Sequence, residues 1–154
     1  MTDRWNPISA AIRFSTRSEF SHAEFIDTEA GVTFGSRSHG GVMERPCSID
    51  HYTRVEQFTA NSSHAEEAMR AAYAWARTQA GKRYDYSAIT GIAFNRDWRD
   101  EARWFCSELV AAAFENVGFP LLSTRPSDKV YRITPRDLLL SRSLVFLEGK
   151  GLDV

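Results

Sequence analysis

The sequence predicts an α+β fold in one domain, with an antiparallel β-sheet packed against helices. Three observations carry that expectation. Short runs in the first third alternate polar and apolar residues between glycine-bearing turns, the period of antiparallel strands. From about residue 62 the apolar spacing lengthens to that of an amphipathic helix, and it does so again after Trp104. The length, 154 residues without repeat, linker or low-complexity tract, suits a single domain spanning 1–154.

The elements follow in order. ISAAIRF at 8–14 reads as a short strand followed by a polar turn. HAEFID, opening on His22, alternates along its length. After the turn TEAG, which contains Gly31, the β-favouring run VTFGSR completes a hairpin. SHGGVMERP reads as a glycine loop ended by Pro46, and HYTRVEQF, from His51, as another alternating strand. Ser63 with Glu66 three residues later has the form of a capping box. Behind it Ala65, Met69, Ala72, Tyr73 and Ala76 fall on one helical stripe, and Gly81 supplies the stop. YDYSAITGIAF is expected as a short helix or loop, and NRDWRDEAR as a charged connection. Ser107 to Val117 is helical, with Leu109, Val110, Ala113, Phe114 and Val117 as its buried face and Gly118 and Pro120 at its end. Thr134 followed by Pro135 caps a short helix through RDLLLSR, and SLVFLEG is a last strand.

Composition narrows the functional classes. A formal net charge of −1 provides no overall field for nucleic acid or an anionic membrane, so neither is expected as a partner. No apolar run approaches the roughly 20 residues of a membrane span. MTDRWNPIS lacks the sections of a secretory signal, so the expected location is the cytoplasm. Cys47 and Cys106 lie far apart and in no CxxC arrangement, which argues against a structural disulfide in a reducing compartment. His39, Cys47 and His51 match no common zinc spacing, so no metal is expected.

The chemistry-bearing stretch is RWFCSELVAAAF at 103–114. It sets Cys106 where an aromatic strip becomes an alanine-rich helix. A helix N-terminus concentrates unpaired N–H groups and partial positive charge, conditions that favour a thiolate. Packing alone would also account for a buried cysteine. A nucleophile needs a histidine and a group to orient it. Of the four histidines, His64 falls on a helix's first turn, His51 begins a strand and His39 sits in a glycine loop. His22 opens a hairpin strand that is expected to be central in the sheet, and is the best-placed base.

S-H-A-E-F-I, the F-G-S-R and G-G-V that follow it, and the downstream W-F-C-S-E-L-V together resemble the circularly permuted branch of NlpC-type, papain-like cysteine hydrolases. That branch includes the YiiX-like proteins and the lecithin retinol acyltransferase group. It places the histidine hairpin before the cysteine helix, the order found here. The resemblance runs from about residue 8 to 118 and rests on two short motifs, of which C-S-E-L is the more specific. It implies a permuted papain-like fold, Cys106 as nucleophile, His22 as base, and no metal or organic cofactor.

The family's third polar residue lies on the strand after the histidine. Here that strand is VTFGSR, which has neither histidine nor asparagine. Ser36 is the polar residue nearest by hairpin register, and Glu24 shares a strand face with His22. Tyr84 and Tyr86 resemble the family's substrate-lining aromatics, and Ser107 adjoins the nucleophile. Core packing beside a capping aspartate is the other reading of the two tyrosines. The function implied is hydrolysis of a peptide or amide bond, with bacterial cell-wall peptide as one setting. The alternatives are an acyl-lipid hydrolase or transferase, and a non-catalytic binding or assembly module such as a phage-tail component.

Overall fold

Isoleucines four residues apart decide the first element. The computed structural model describes residues 1–2, 7–87, 102–122 and 133–150. In it the run at 8–14, expected as a strand, lies within helix α1, Pro7–Thr16. Pro7 fits the first helical turn, where no intrahelical N–H bond is needed, and Ile8 and Ile12 then share one face.

The hairpin forms as expected, but later in the chain than His22. Strand β1, Phe25–Asp27, pairs antiparallel with β2, Val32–Arg37, in a register that sets Phe25 opposite Phe34 and Asp27 opposite Val32. His22 lies ahead of the ladder. Its N–H and that of Ser21 donate to the Met1 carbonyl, each at 3.2 Å. The region expected as a glycine loop is instead strand β3, Gly41–Pro46, on the other side of β2. Gly41 has φ +68, and a Cβ there would stand 2.3 Å from the Lys82 carbonyl, so only glycine fits this approach. Gly81 N–H and Lys82 O in turn bond to Val42, fixing the start of β5, Arg83–Tyr84, against β3.

His51 ends a 3₁₀ turn, Ile49–His51, and does not begin a strand. Strand β4, Val55–Ala60, starts four residues later. Helix α2, Ala65–Arg77, buries Ala72 and Ala76 on the expected stripe, but the Ser63 capping box does not form: His64 holds the N-cap position without a side-chain cap bond. Strand β6, Arg103–Trp104, pairs parallel with β5 and leads into α3, Cys106–Asn116. Every residue of α3 from Cys106 to Phe114 is buried, so the helix has no solvent face in that span. Its small Ala111–Ala113 run lets α2, β2 and α4, Pro135–Leu139, all approach it. Thr134 and Asp137 form the expected cap of α4. Strand β7, Leu144–Lys150, pairs antiparallel with β4.

One apolar cluster joins Phe25 and Phe34 of the hairpin to Ala72, Ala76, Leu109 and Phe114. A smaller one gathers Ile12, Tyr84, Phe105 and Cys106. The expected connection at 95–101 and most of YDYSAITGIAF lie outside the described residues.

Candidate active site

Three chain segments meet at the N-terminus of α3. Phe105, in extended conformation, is its N-cap, and its N–H donates to Glu108 Oε2 at 3.3 Å, which holds the first turn. Cys106 follows as the first helical residue and is fully buried at 0% exposure. Its sulfur lies 4.0 Å from the carbonyl of Ser21, the residue before His22, and close enough to the His22 imidazole to hold the ring's pKa up.

On its other side the imidazole meets Glu24. His22 Nε2 is 3.2 Å from Glu24 Oε2, an ion-pair distance, although the N–H is not aimed along that line. Tyr52 stacks against the ring at 6.4 Å between centroids. The Glu24 side chain is fully buried. Its Oε2 accepts from Arg37 Nε at 3.0 Å, and Arg37 Nη2 binds Oε1.

This order, thiol–imidazole–carboxylate–guanidinium, sets the electrostatics. Burial by itself disfavours the imidazolium, but contact with Cys106 and Glu24 outweighs it and raises His22 from its ordinary 6.5 to about 9. Burial likewise disfavours the Glu24 carboxylate, yet His22 and then Arg37 bring it down to about 2. The pair therefore stores a proton on His22 opposite an ionised Glu24 across neutral pH.

The other sequence-predicted residues divide. Ser36 is fully buried but does not meet the ring: its hydroxyl donates to the Trp104 carbonyl at 2.6 Å. Extending the observed register places His22 across from Arg37 and Glu24 across from Gly35, so the expected pairing of His22 near Ser36 is one residue out. Ser107, expected on the substrate side, is buried and spends its hydroxyl on Ile133 O at 2.6 Å, which ties α3 to the approach to α4. Tyr84 is buried beside Cys106 and packs on Phe105, with its phenol pushed upward by burial. Tyr86 is 50% exposed, donates to Ser38 O at 2.6 Å on the β2–β3 turn, and meets the Tyr84 ring edge-on at 5.0 Å between centroids. Asp85 between them accepts from Ser87 N–H at 2.8 Å, a local cap. Arg37 and Tyr52 were missed from sequence. Arg37 was legible once the hairpin register was known, because it stands diagonally across from Glu24.

A cavity of about 120 Å³ opens beside His22 and Glu24. Its far walls are Phe58, Phe114, Leu138 and Leu144, making it chiefly aliphatic and aromatic. Among the described residues no helix is long and apolar enough to cross a membrane.

No family model matches the chain, and no curated protein matches it by sequence. Among solved structures it is similar to the metalloprotein YiiX from Escherichia coli O157:H7 (DUF1105). The TM-score is 0.71 at 18% identity, covering 96% of this chain and 92% of that one. With its mixed helices and antiparallel strands in one small domain, the chain has a YiiX-like fold.

Proposed function

We propose that the protein is a cysteine-nucleophile hydrolase of peptide or amide bonds, on a permuted papain-like scaffold. The observation that supports this reading is the single imidazole held between the Cys106 thiol and the Glu24 carboxylate at a helix N-terminus. In the forward step, with the proton of the cysteine–histidine pair already on His22, the sulfur attacks the carbonyl carbon. A C–S bond forms and the π pair moves to oxygen. The Cys106 N–H, one of the first-turn groups without an intrahelical acceptor, is the natural donor to that oxyanion. Collapse breaks the C–N bond as His22 returns its proton to the departing amine. Water, losing its proton to His22, then cleaves the thioester; the C–S pair stays on sulfur and the starting pair is restored. Glu24 keeps the ring oriented and stabilises the imidazolium throughout.

The YiiX neighbour is described as a metalloprotein. Here the donor set does not suit a metal: Arg37 already sits on the Glu24 carboxylate, putting a guanidinium where a cation would bind. Among the described residues no group of three or more His, Cys, Asp or Glu is placed to hold one.

The apolar cavity favours a second reading, in which the acyl group transferred to sulfur is an aliphatic chain. One panel separates the two. Aminoacyl anilides and p-nitrophenyl esters of increasing chain length are offered to wild type, Cys106→Ala and His22→Ala, with acyl-enzyme followed by intact mass. The amide reading expects anilide turnover; the acyl reading expects rates that climb with ester chain length. Both expect each alanine variant to lose at least about 10³-fold. Turnover that survives Cys106→Ala sinks the cysteine mechanism altogether.

A further inference from the structure

We infer that Arg37 is a positioning residue that holds Glu24 against the imidazole, and through it sets the state of His22. The inference rests on the reading of His22 as the base, but its test does not need a substrate.

The geometry starts from a difficulty. His22 and Glu24 are two apart in an extended stretch, where backbone spacing is about 7 Å, so the carboxylate must lean back along the chain to meet Nε2. Gly35 lies directly across and leaves room: a Cβ there would stand 2.5 Å from Glu24 Cβ and 3.3 Å from Oε2. Arg37 supplies the direction. Its planar fork engages both carboxylate oxygens, and Oε2 is shared between the guanidinium and His22 Nε2. Arg37 is itself held in place. Nη2 reaches Thr33 Oγ1 at 3.3 Å along the same strand face, and the guanidinium lies 5.9 Å from the centroid of the Tyr52 ring that stacks on His22.

A lysine would match the charge but not the two-point hold. Charge and position also make opposite predictions. If Arg37 only diluted the carboxylate's charge, removing it would strengthen Glu24's pull and raise the imidazole further. If it positions Glu24, removing it frees the carboxylate to swing away, and the imidazole falls toward its ordinary value.

The charged and titratable groups that bear on this set are few among the described residues. His22 faces Cys106, Glu24, Tyr52 and, through its carbonyl, the Met1 amine. Glu24 faces His22, Arg37, Arg45 and the Met1 amine. Arg37 faces Glu24, Tyr52, Cys47 and Arg45.

The test is the His22 titration, read from imidazole nitrogen shifts by NMR in wild type, Arg37→Gln, Arg37→Lys, Glu24→Gln and the Glu24→Gln/Arg37→Gln double variant. The double variant leaves no buried carboxylate without its guanidinium, so it remains measurable if Arg37→Gln alone folds poorly. Positioning expects Arg37→Gln to lower the His22 midpoint by about one unit or more, with Arg37→Lys intermediate. It further expects Arg37→Gln to add nothing once Glu24 is already glutamine. An unmoved midpoint with a lowered Tm means a structural role only, and a raised midpoint means charge dilution only; either overturns the inference. An additional shift in the double variant overturns it as well, since Arg37 would then reach His22 by a route other than Glu24. Thiol-directed probes run on wild type separate this from the catalytic reading. If Cys106 never labels, the cysteine mechanism falls while the His22 titration still decides what Arg37 does.

Discussion

Gly35 and Ser36 are neighbours on β2 with opposite duties. Gly35 makes room for Glu24, and the contact is too close for any side chain: 2.5 Å is well inside ordinary carbon–carbon separation. Gly35→Ala should therefore push Glu24 off the imidazole and cost about 1–3 kcal/mol of stability. The His22 midpoint should fall with it, in the same direction as in Arg37→Gln. A Gly35→Ala protein with native melting and an unmoved His22 would show that the strands can part cheaply. Ser36 instead ties β2 to the carbonyl of Trp104, two residues before the nucleophile. Removing its hydroxyl takes one of two donors from that carbonyl, which keeps the Asp85 N–H at 3.1 Å, at about 0.5–1.5 kcal/mol. Ser36→Ala should thus melt lower and lose activity modestly, whereas Glu24→Gln should lose far more activity for a comparable stability change. If Ser36→Ala proved the more damaging to catalysis, the assignment of Glu24 to the ring would be in error.

At the scale of elements, the proposed nucleophile Cys106 is roofed. Ile12 of α1 and Tyr84 of β5 pack on Cys106 and Phe105, with Ile8 beside them. α1 is pinned at both ends: Ser9 Oγ lies 2.6 Å from Ser21 Oγ, and Arg136 donates to the Thr16 carbonyl at 3.1 Å. A fully buried sulfur cannot reach a carbonyl until that cover yields. Ile12→Asp, which sets a charge against the small cluster, should therefore speed iodoacetamide capture of Cys106 by about tenfold or more. The half-buried Cys47 serves as internal reference in the same mass spectrum. Equal acceleration at both cysteines would mean general loosening and not a lifted roof. This roof was the part of the fold least legible in sequence. ISAAIRF is short and apolar, and only the four-residue spacing of its isoleucines behind Pro7 marks it as helical. β3 was obscured by Gly40–Gly41, which belong to the turn and the strand's first residue, while Met43 and Glu44 face outward and blur the alternation. By contrast β1–β2, α2, α3, α4 and β7 were legible because the apolar period of each was clear, even where, as at Ser63 before α2, the expected cap does not form. The cysteine–histidine pairing was legible through its motifs. The carboxylate's guanidinium was not, because it depends on a register that slips by one residue between sequence and structure.

For the whole molecule, the buried imidazole–carboxylate pair makes stability depend on pH in a direction that can be worked out. His22 is raised from 6.5 to about 9 on folding, so the stability it contributes is fully present below about 6.5 and is lost as pH rises through 9. Glu24 is lowered from 4.5 to about 2, so its share is present above about 4.5 and is lost as pH falls through 2. The two shifts share the His22–Glu24 contact, which is counted once, while Cys106 adds to the His22 shift alone; that shift as a whole is on the order of 3 kcal/mol. The window in which both are intact lies between about pH 4.5 and 6.5. Because other groups titrate in the same range, the informative quantity is the difference in Tm between wild type and His22→Gln. That difference should be largest in the window and shrink by roughly 5–10 °C as pH climbs past 9. Arg37 remains on Glu24 in the variant, so the acid limb should persist there while the alkaline one disappears. A difference that stays constant from pH 6 to 10 would mean that His22 is neutral in the folded protein and carries no ion pair with Glu24. Growth of the difference with pH would mean that burial governs the imidazole more strongly than its two partners do.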